Sequence, residues 1–257
     1  MNLIGHFACT PTPAAPVRLG SVLPDLLGLY RRPVRAHALL KLWAGETERL
    51  PGSDGLMAGM RFHHTVDAHF HRAPLFVELA GAIAAALRQA SDAPGLRRFL
   101  PAHVLSELYL DHLLLRRRPA LERAFYETLT EGRSLLTAFV ARHPRADGAS
   151  FGAFLARIER ERFVADYHTH AGLFSRMNRI LARYAQRPLL APETEALERL
   201  FVRRAGATRA ALDGFLAEMA PRLGSDAAPR DAGPAAEDAT RRAAARRKEP
   251  RLAVQPG

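Results

Sequence analysis

A single cysteine, Cys9, stands in a chain of 257 residues, so no intrachain disulfide can form and no thiolate cluster can hold a metal within one chain. A reducing cytoplasm is the simplest compartment for such a composition. The sequence also lacks any uncharged run of about 18 residues, the length that a membrane-spanning helix needs. Its start, Met-Asn-Leu-Ile-Gly-His, has neither the basic residues nor the continuous apolar stretch of a signal peptide. The expectation is a chain that is neither exported nor membrane-spanning. No alternating apolar and polar stretch of convincing length competes with the helical patterns, and the fold class expected is all-α.

What is present is helical periodicity cut by proline and glycine. An alanine- and leucine-rich helix is expected over 75–90, ended by the Asp, Pro and Gly of 91–95. A second, over 101–118, has Pro101 suited to a first turn, Pro119 closing it, and apolar residues on several faces, which places it at the centre of a bundle. Further helices are expected over 120–142, 150–185 and 192–219. Residues 31–58 read as less regular: Arg31, Arg32 and Pro33 interrupt a helix, and LPGSDG at 50–55 reads as a turn or surface loop where an entrance could sit. From about Leu223 the chain is rich in Ala, Pro and charge, with no aromatic residue, and is expected to be a disordered tail following a helical domain over 1–222.

The net charge of +11 points to an acidic partner: nucleic acid, anionic lipid or an acidic protein. The tail holds seven basic and five acidic residues, so most of the excess belongs to the body. The excess is almost all arginine, which suits phosphate and carboxylate recognition and also follows from a high-GC genome. No helix-turn-helix, zinc-finger or aromatic stacking pattern accompanies it, which ranks nucleic acid below the other partners. The RRAAARRK patch at 241–248 reads as solvated.

Eleven histidines serve the whole chain, and four of them, with Asp67, fall within nine positions: His63, His64, His69 and His71. On a helix His63, Asp67 and His71 recur at i, i+4 and i+8 and form one stripe of imidazole, carboxylate and imidazole. These are ordinary ligands for Mn²⁺, Fe²⁺ or Zn²⁺. Glu107 and Asp111 lie one turn apart on the apolar central helix, followed by His112, and a carboxylate on so apolar a helix needs a cation, a metal or a set of donors. Asp25, set among leucines and valine, reads either as a helix N-cap or as a further acidic group of the site. His6 lies in the apolar start, where a satisfied core histidine is the plainer reading. Asp166 and His170 form a secondary i, i+4 pair.

Together and in this order the segments resemble the acyl-carrier-protein phosphodiesterase family, a divergent branch of the HD phosphohydrolases, from Met1 to about Gln186. Asn2 and His6 match an opening Asn-x-x-x-His, and Arg18 to Asp25 loosely match a leucine-rich element ending in Asp. Gly59, His63, Val66, Asp67 and Pro74 fall in register with the family's longest motif. Glu107, Asp111 and His112 echo a later Asp-x-x-x-Asp-His, and RMNRILARYAQR at 176–187 resembles a basic helix near the family domain's end. Five positions depart: Phe70-His71 stands for Thr-Asp, Ala73 for the His of His-Pro, Glu107 for Asp and Ser21 for Asn.

The resemblance implies an HD-like helical bundle that hydrolyses the phosphodiester joining 4′-phosphopantetheine to the serine of holo acyl carrier protein, with Mn²⁺ as the divalent metal. It implies His63, Asp67, Asp25 and Asp111 as the metal or metal-water shell and His6 and His112 as further ligands or proton-transfer groups. His71 takes the place of the lost carboxylate. Arg61, Arg116, Arg117 and Arg118 would hold phosphate or dock the acidic carrier protein. Two other readings compete: another metal-dependent phosphohydrolase acting on small phosphoesters, and a non-catalytic relative that binds the carrier protein.

Overall fold

Caps and breakers set several element boundaries in the computed structural model, which describes residues 1–10, 12–30 and 34–220. All of these fall within one compact unit, Met1–Asp226. Ten α-helices and one 3₁₀ turn are present among them, and no strand, as the all-α expectation required. They are α1 (Leu3–Cys9), α2 (Ala15–Tyr30), α3 (Ala36–Gly45), α4 (Ser53–Phe70), α5 (Pro74–Ala90), α6 (Phe99–Arg117), α7 (Ala120–Ala141), α8 (Gly148–Glu161), the 3₁₀ turn Phe163–His168, α9 (His170–Arg183) and α10 (Ala191–Met219). No single helix among the described residues is long and apolar enough to cross a membrane. The expected tail, its basic patch and the Arg31–Pro33 interruption lie outside the described residues.

Local chemistry accounts for several of these boundaries. Pro74 begins α5, where the missing N–H would have had no intrahelical partner. Asp147 caps α8 by accepting the Ser150 N–H at 3.1 Å, and Thr169 caps α9 by accepting that of Gly172 at 3.1 Å. At the start of α10, Glu193 accepts the Leu190 N–H at 2.8 Å and receives both terminal nitrogens of Arg187 at 2.6 and 2.8 Å. Arg187 also donates to the carbonyls of Ala93 and Pro94, which ties this helix start to the loop between α5 and α6.

The structure departs from the expected elements in three places. The single helix expected over 150–185 is broken, because Arg162 takes the left-handed conformation (φ +44°) and Thr169 is extended. The intervening turn is held by Val164, whose N–H donates to the buried Tyr126 hydroxyl at 3.1 Å. The stretch expected to be irregular contains α3, anchored by Trp43 stacked on Phe139 (centroids 4.8 Å apart) and donating its indole N–H to the Phe139 carbonyl. Within 50–55 the helix α4 already begins at Ser53, leaving only a short turn through Gly52 at φ +87°.

Helix α6 is central as expected: it packs against α1, α5, α7, α9, α10 and the 3₁₀ turn. Its buried side chains include Leu105, Leu108, Tyr109, Leu110, Leu113, Leu114 and Leu115, each large apolar group contributing about 1.5–3 kcal/mol on burial. The most extensive helix pair is α2 with α4, and two glycines explain its closeness. A Cβ on Gly59 would lie 2.1 Å from the Val17 carbonyl oxygen, and one on Gly20 would lie 2.2 Å from that of Leu56. Backbone therefore meets backbone, and the two helices that carry Asp25, His63 and Asp67 are locked in register.

Candidate metal centre

The α2–α4 contact sets the first imidazole. The Nδ1–H of His63, from α4, donates to the Ser21 carbonyl of α2 at 2.8 Å, so the Nε2 lone pair is presented on the opposite side of the ring. His6 comes from the short α1 and stacks on His63 with ring centroids 3.8 Å apart. Asp67, one turn beyond His63, places Oδ1 3.0 Å from His6 Nε2 and Oδ2 3.5 Å from His63 Nε2. Both imidazoles are buried, while the Asp67 side chain keeps 31% of its exposure, so the group opens to solvent through the carboxylate.

Burial lowers the pKa of His63 well below its usual value, reinforced by His6, and burial likewise lowers that of His6. Both rings are therefore neutral, the form that ligates metals. Burial opposes ionisation of Asp67, but the Met1 ammonium, with the hydrogen bond from His6, outweighs it and holds the carboxyl well below its usual range. The Met1 ammonium lies 2.8 Å from Asp67 Oδ1 and 3.5 Å from Glu107 Oε1. Burial disfavours its charge, yet Asp67 and Glu107 raise it to about 10.

Asp25 enters from α2. It lies inside that helix, one residue after Pro24, so it is not the N-cap that the sequence allowed. Its Oδ2 is enclosed and has no hydrogen-bond partner, and burial, with Asp67 nearby, raises its pKa well above the usual carboxylate value. His6 Nδ1 is likewise enclosed without a partner. His6, His63 and the ionised Asp67 make a donor set that fits a divalent cation, and the Asp25 carboxyl lies close enough to Asp67 for their charges to interact.

The remaining expected residues go elsewhere. Asp111 is fully buried, but its two oxygens accept the N–H groups of Ile4 at 3.2 Å and Gly5 at 2.8 Å, so a set of backbone donors at the start of α1 answers its charge. Burial nonetheless pushes its pKa up to about 7. His112 is not gathered into the group, because a neighbour of Asp111 on a helix points about 100° away. Its Nδ1–H donates to the Tyr167 carbonyl at 2.8 Å, and its ring lies 4.9 Å from that of His170. Asp166 and His170 do not pair: Asp166 binds Arg176 and Arg179, and His170 faces Glu198. Arg61, Arg116 and Arg117 are exposed, and Arg117 is paired with Asp213.

His71 is the clearest departure from the expected stripe. Helix α4 ends at Phe70 and His71 is its C-cap, so the i+8 position leaves the line of His63 and Asp67. Its Nε2 lies 3.3 Å from Glu107 Oε1, and His103 Nε2, one turn before Glu107 on α6, lies 3.3 Å from the same oxygen. Among the described residues, two groups of side chains could therefore hold a metal ion: His6, His63 and Asp67, and separately His71, His103 and Glu107. His103 was not singled out in the sequence, although its i, i+4 spacing to Glu107 was legible there.

No family model, no curated protein and no solved structure matches the chain. The functional reading therefore rests on the geometry above and on the motif resemblance.

Proposed function

We propose that this protein is a metal-dependent phosphodiesterase with an HD-like helical core, which removes 4′-phosphopantetheine from holo acyl carrier protein in the cytoplasm. The observation that carries the reading is the convergence of His6, His63 and Asp67 from two helices. The resemblance assigns His63 and Asp67 to the metal shell and His6 to its further ligands or proton-transfer groups, and the three meet although more than fifty positions separate His6 from His63.

In this reading His6, His63 and Asp67 hold the cation, Mn²⁺ by resemblance. Bound there, a divalent ion would supply Lewis acidity toward a phosphoryl oxygen and toward a water near neutral pH. Ser21 fixes the His63 tautomer through its carbonyl, so the ligating nitrogen needs no reorganisation. The Asp25 carboxyl, whose pKa burial raises well above the usual carboxylate value, would hydrogen-bond the phosphate and pass a proton to the serine Oγ as the P–O bond breaks. Water adds its oxygen to phosphorus, serine takes the proton, and the products are apo carrier protein and free 4′-phosphopantetheine.

The net positive charge suits an acidic protein substrate, and exposed arginines, Arg61 on α4 and Arg116 at the end of α6, are available for it. The test is to offer holo acyl carrier protein and a small aryl phosphodiester in parallel with Mn²⁺. Release from the carrier protein supports the reading. Turnover of the small ester alone would replace it with a general phosphohydrolase, and metal-independent binding without product would replace it with a carrier-protein-binding role.

A further inference from the structure

We propose that His71, His103 and Glu107 bind a second divalent cation beside the one at His6, His63 and Asp67, so that the pocket is a two-cation centre. The three side chains come from the end of α4 and from one face of α6, and their ligand atoms lie within 4.8 Å of one another. Both Nε2 atoms approach Glu107 Oε1 at 3.3 Å, a convergence of two imidazoles on one carboxylate oxygen. Two imidazoles and one glutamate make a ligand set suited to Zn²⁺ or Mn²⁺, with positions left open for water or substrate.

The rings are held in place by aromatic neighbours. His71 meets Phe76 edge-on at 4.9 Å and lies 5.4 Å from Phe70, while His103 meets Phe76 at 5.0 Å and Phe99 at 6.0 Å. His71 and His103 lie 5.0 Å apart at an interplanar angle of 30°. Their side chains keep 31% and 32% of their exposure and Glu107 keeps 16%, so an ion can enter from solvent.

Adjacency of the two groups rests on a separate observation. One nitrogen, that of Met1, lies 2.8 Å from Asp67 Oδ1 and 3.5 Å from Glu107 Oε1, so a single cationic atom touches a carboxylate of each group. The space between Asp67 and Glu107 is thus one that concentrates positive charge, and two cations a few ångströms apart, about 3.5–4 Å in known two-metal sites, could share ligands across it.

The inference concerns metal content and stands apart from the identity of any substrate. Chelator-stripped full-length protein is titrated with Mn²⁺ alone by calorimetry, and the loaded protein is analysed for metal and by electron paramagnetic resonance. Two equivalents per chain with a spin-coupled spectrum are expected. The His103→Ala variant, altered at a partly exposed position, should bind one equivalent and give an uncoupled spectrum, and His103→Cys should restore the second equivalent with Zn²⁺. One equivalent in the unaltered chain, two in His103→Ala, or two uncoupled ions in the unaltered chain would each overturn the proposal. Because no substrate is involved, a failed hydrolysis assay leaves this result readable.

Discussion

His63 donates its Nδ1–H to the carbonyl of Ser21 at 2.8 Å, and that bond exists because Gly59, one turn earlier on α4, lets the two helices touch backbone to backbone. A Cβ at Gly59 would fall 2.7 Å from the Ser21 nitrogen as well as 2.1 Å from the Val17 oxygen, neither of which can rotate away. The orientation of a candidate ligand is therefore set by a residue with no side chain.

Gly59→Ala should separate α2 from α4 and cost at least about 3 kcal/mol, the upper end for overpacking of a tight interior. A drop in the urea midpoint checks the stability effect. A larger loss in Mn²⁺ affinity than that of an equally destabilising core variant, such as Leu136→Ala in α7, would tie the effect to the site. Equal affinity in the two variants would detach Gly59 from the metal centre.

Asp25→Asn should retain Mn²⁺ binding within a few-fold and lower hydrolysis by at least about a hundredfold, the usual contribution of a proton-transfer group. Asp67→Ala should lose the ion itself. Calorimetry and product formation measured on both variants separate the two roles, and loss of metal from Asp25→Asn would make Asp25 a ligand instead.

Asp111 gives a pH dependence of defined sign. Its folded pKa, near 7, lies above the unfolded value of 3.8, so the folded state binds the proton more tightly. The stabilisation is full below about pH 3.8 and is lost as the pH rises through about 7. In chelator-treated protein, the unaltered chain should lose stability relative to Asp111→Asn between pH 4 and pH 7.5, by at most a few kcal/mol. Parallel stability profiles of the two proteins would contradict this assignment.

His6 and His63 act with the opposite sign. Their folded pKa values lie below the ordinary 6.5, so the stability tied to their neutral form is fully present above that value and is lost as the pH falls from it through the lower folded values. His63→Gln should flatten the part of the acid unfolding profile that begins below pH 6.5. An unchanged profile would mean that His63 is not buried neutral.

Much of this molecule was legible in its sequence. The helices over 74–90, 99–117, 120–141 and 191–219 follow from alanine and leucine content and from proline breaks, and the all-round apolarity of α6 announced its central place. The break at Arg162 was not legible, because an arginine in the left-handed conformation leaves no local mark and is held by Tyr126 from another helix. Of the site, the His63–Asp67 spacing could be read directly. The burial of Asp111 was anticipated, but its answer, the first-turn N–H groups of α1, is a tertiary contact over more than a hundred residues. His71 strayed from its stripe because helix periodicity holds only while the helix lasts, and α4 stops one residue too early.

The most direct test of the metal-dependent hydrolysis is intact-mass analysis of holo acyl carrier protein incubated with Mn²⁺ and the unaltered chain, Asp67→Ala, or the unaltered chain with chelator. The phosphopantetheine mass should be lost only with the unaltered chain and free Mn²⁺. Persistence of the holo mass with Mn²⁺ shown to be bound, or its loss with Asp67→Ala, would contradict the account.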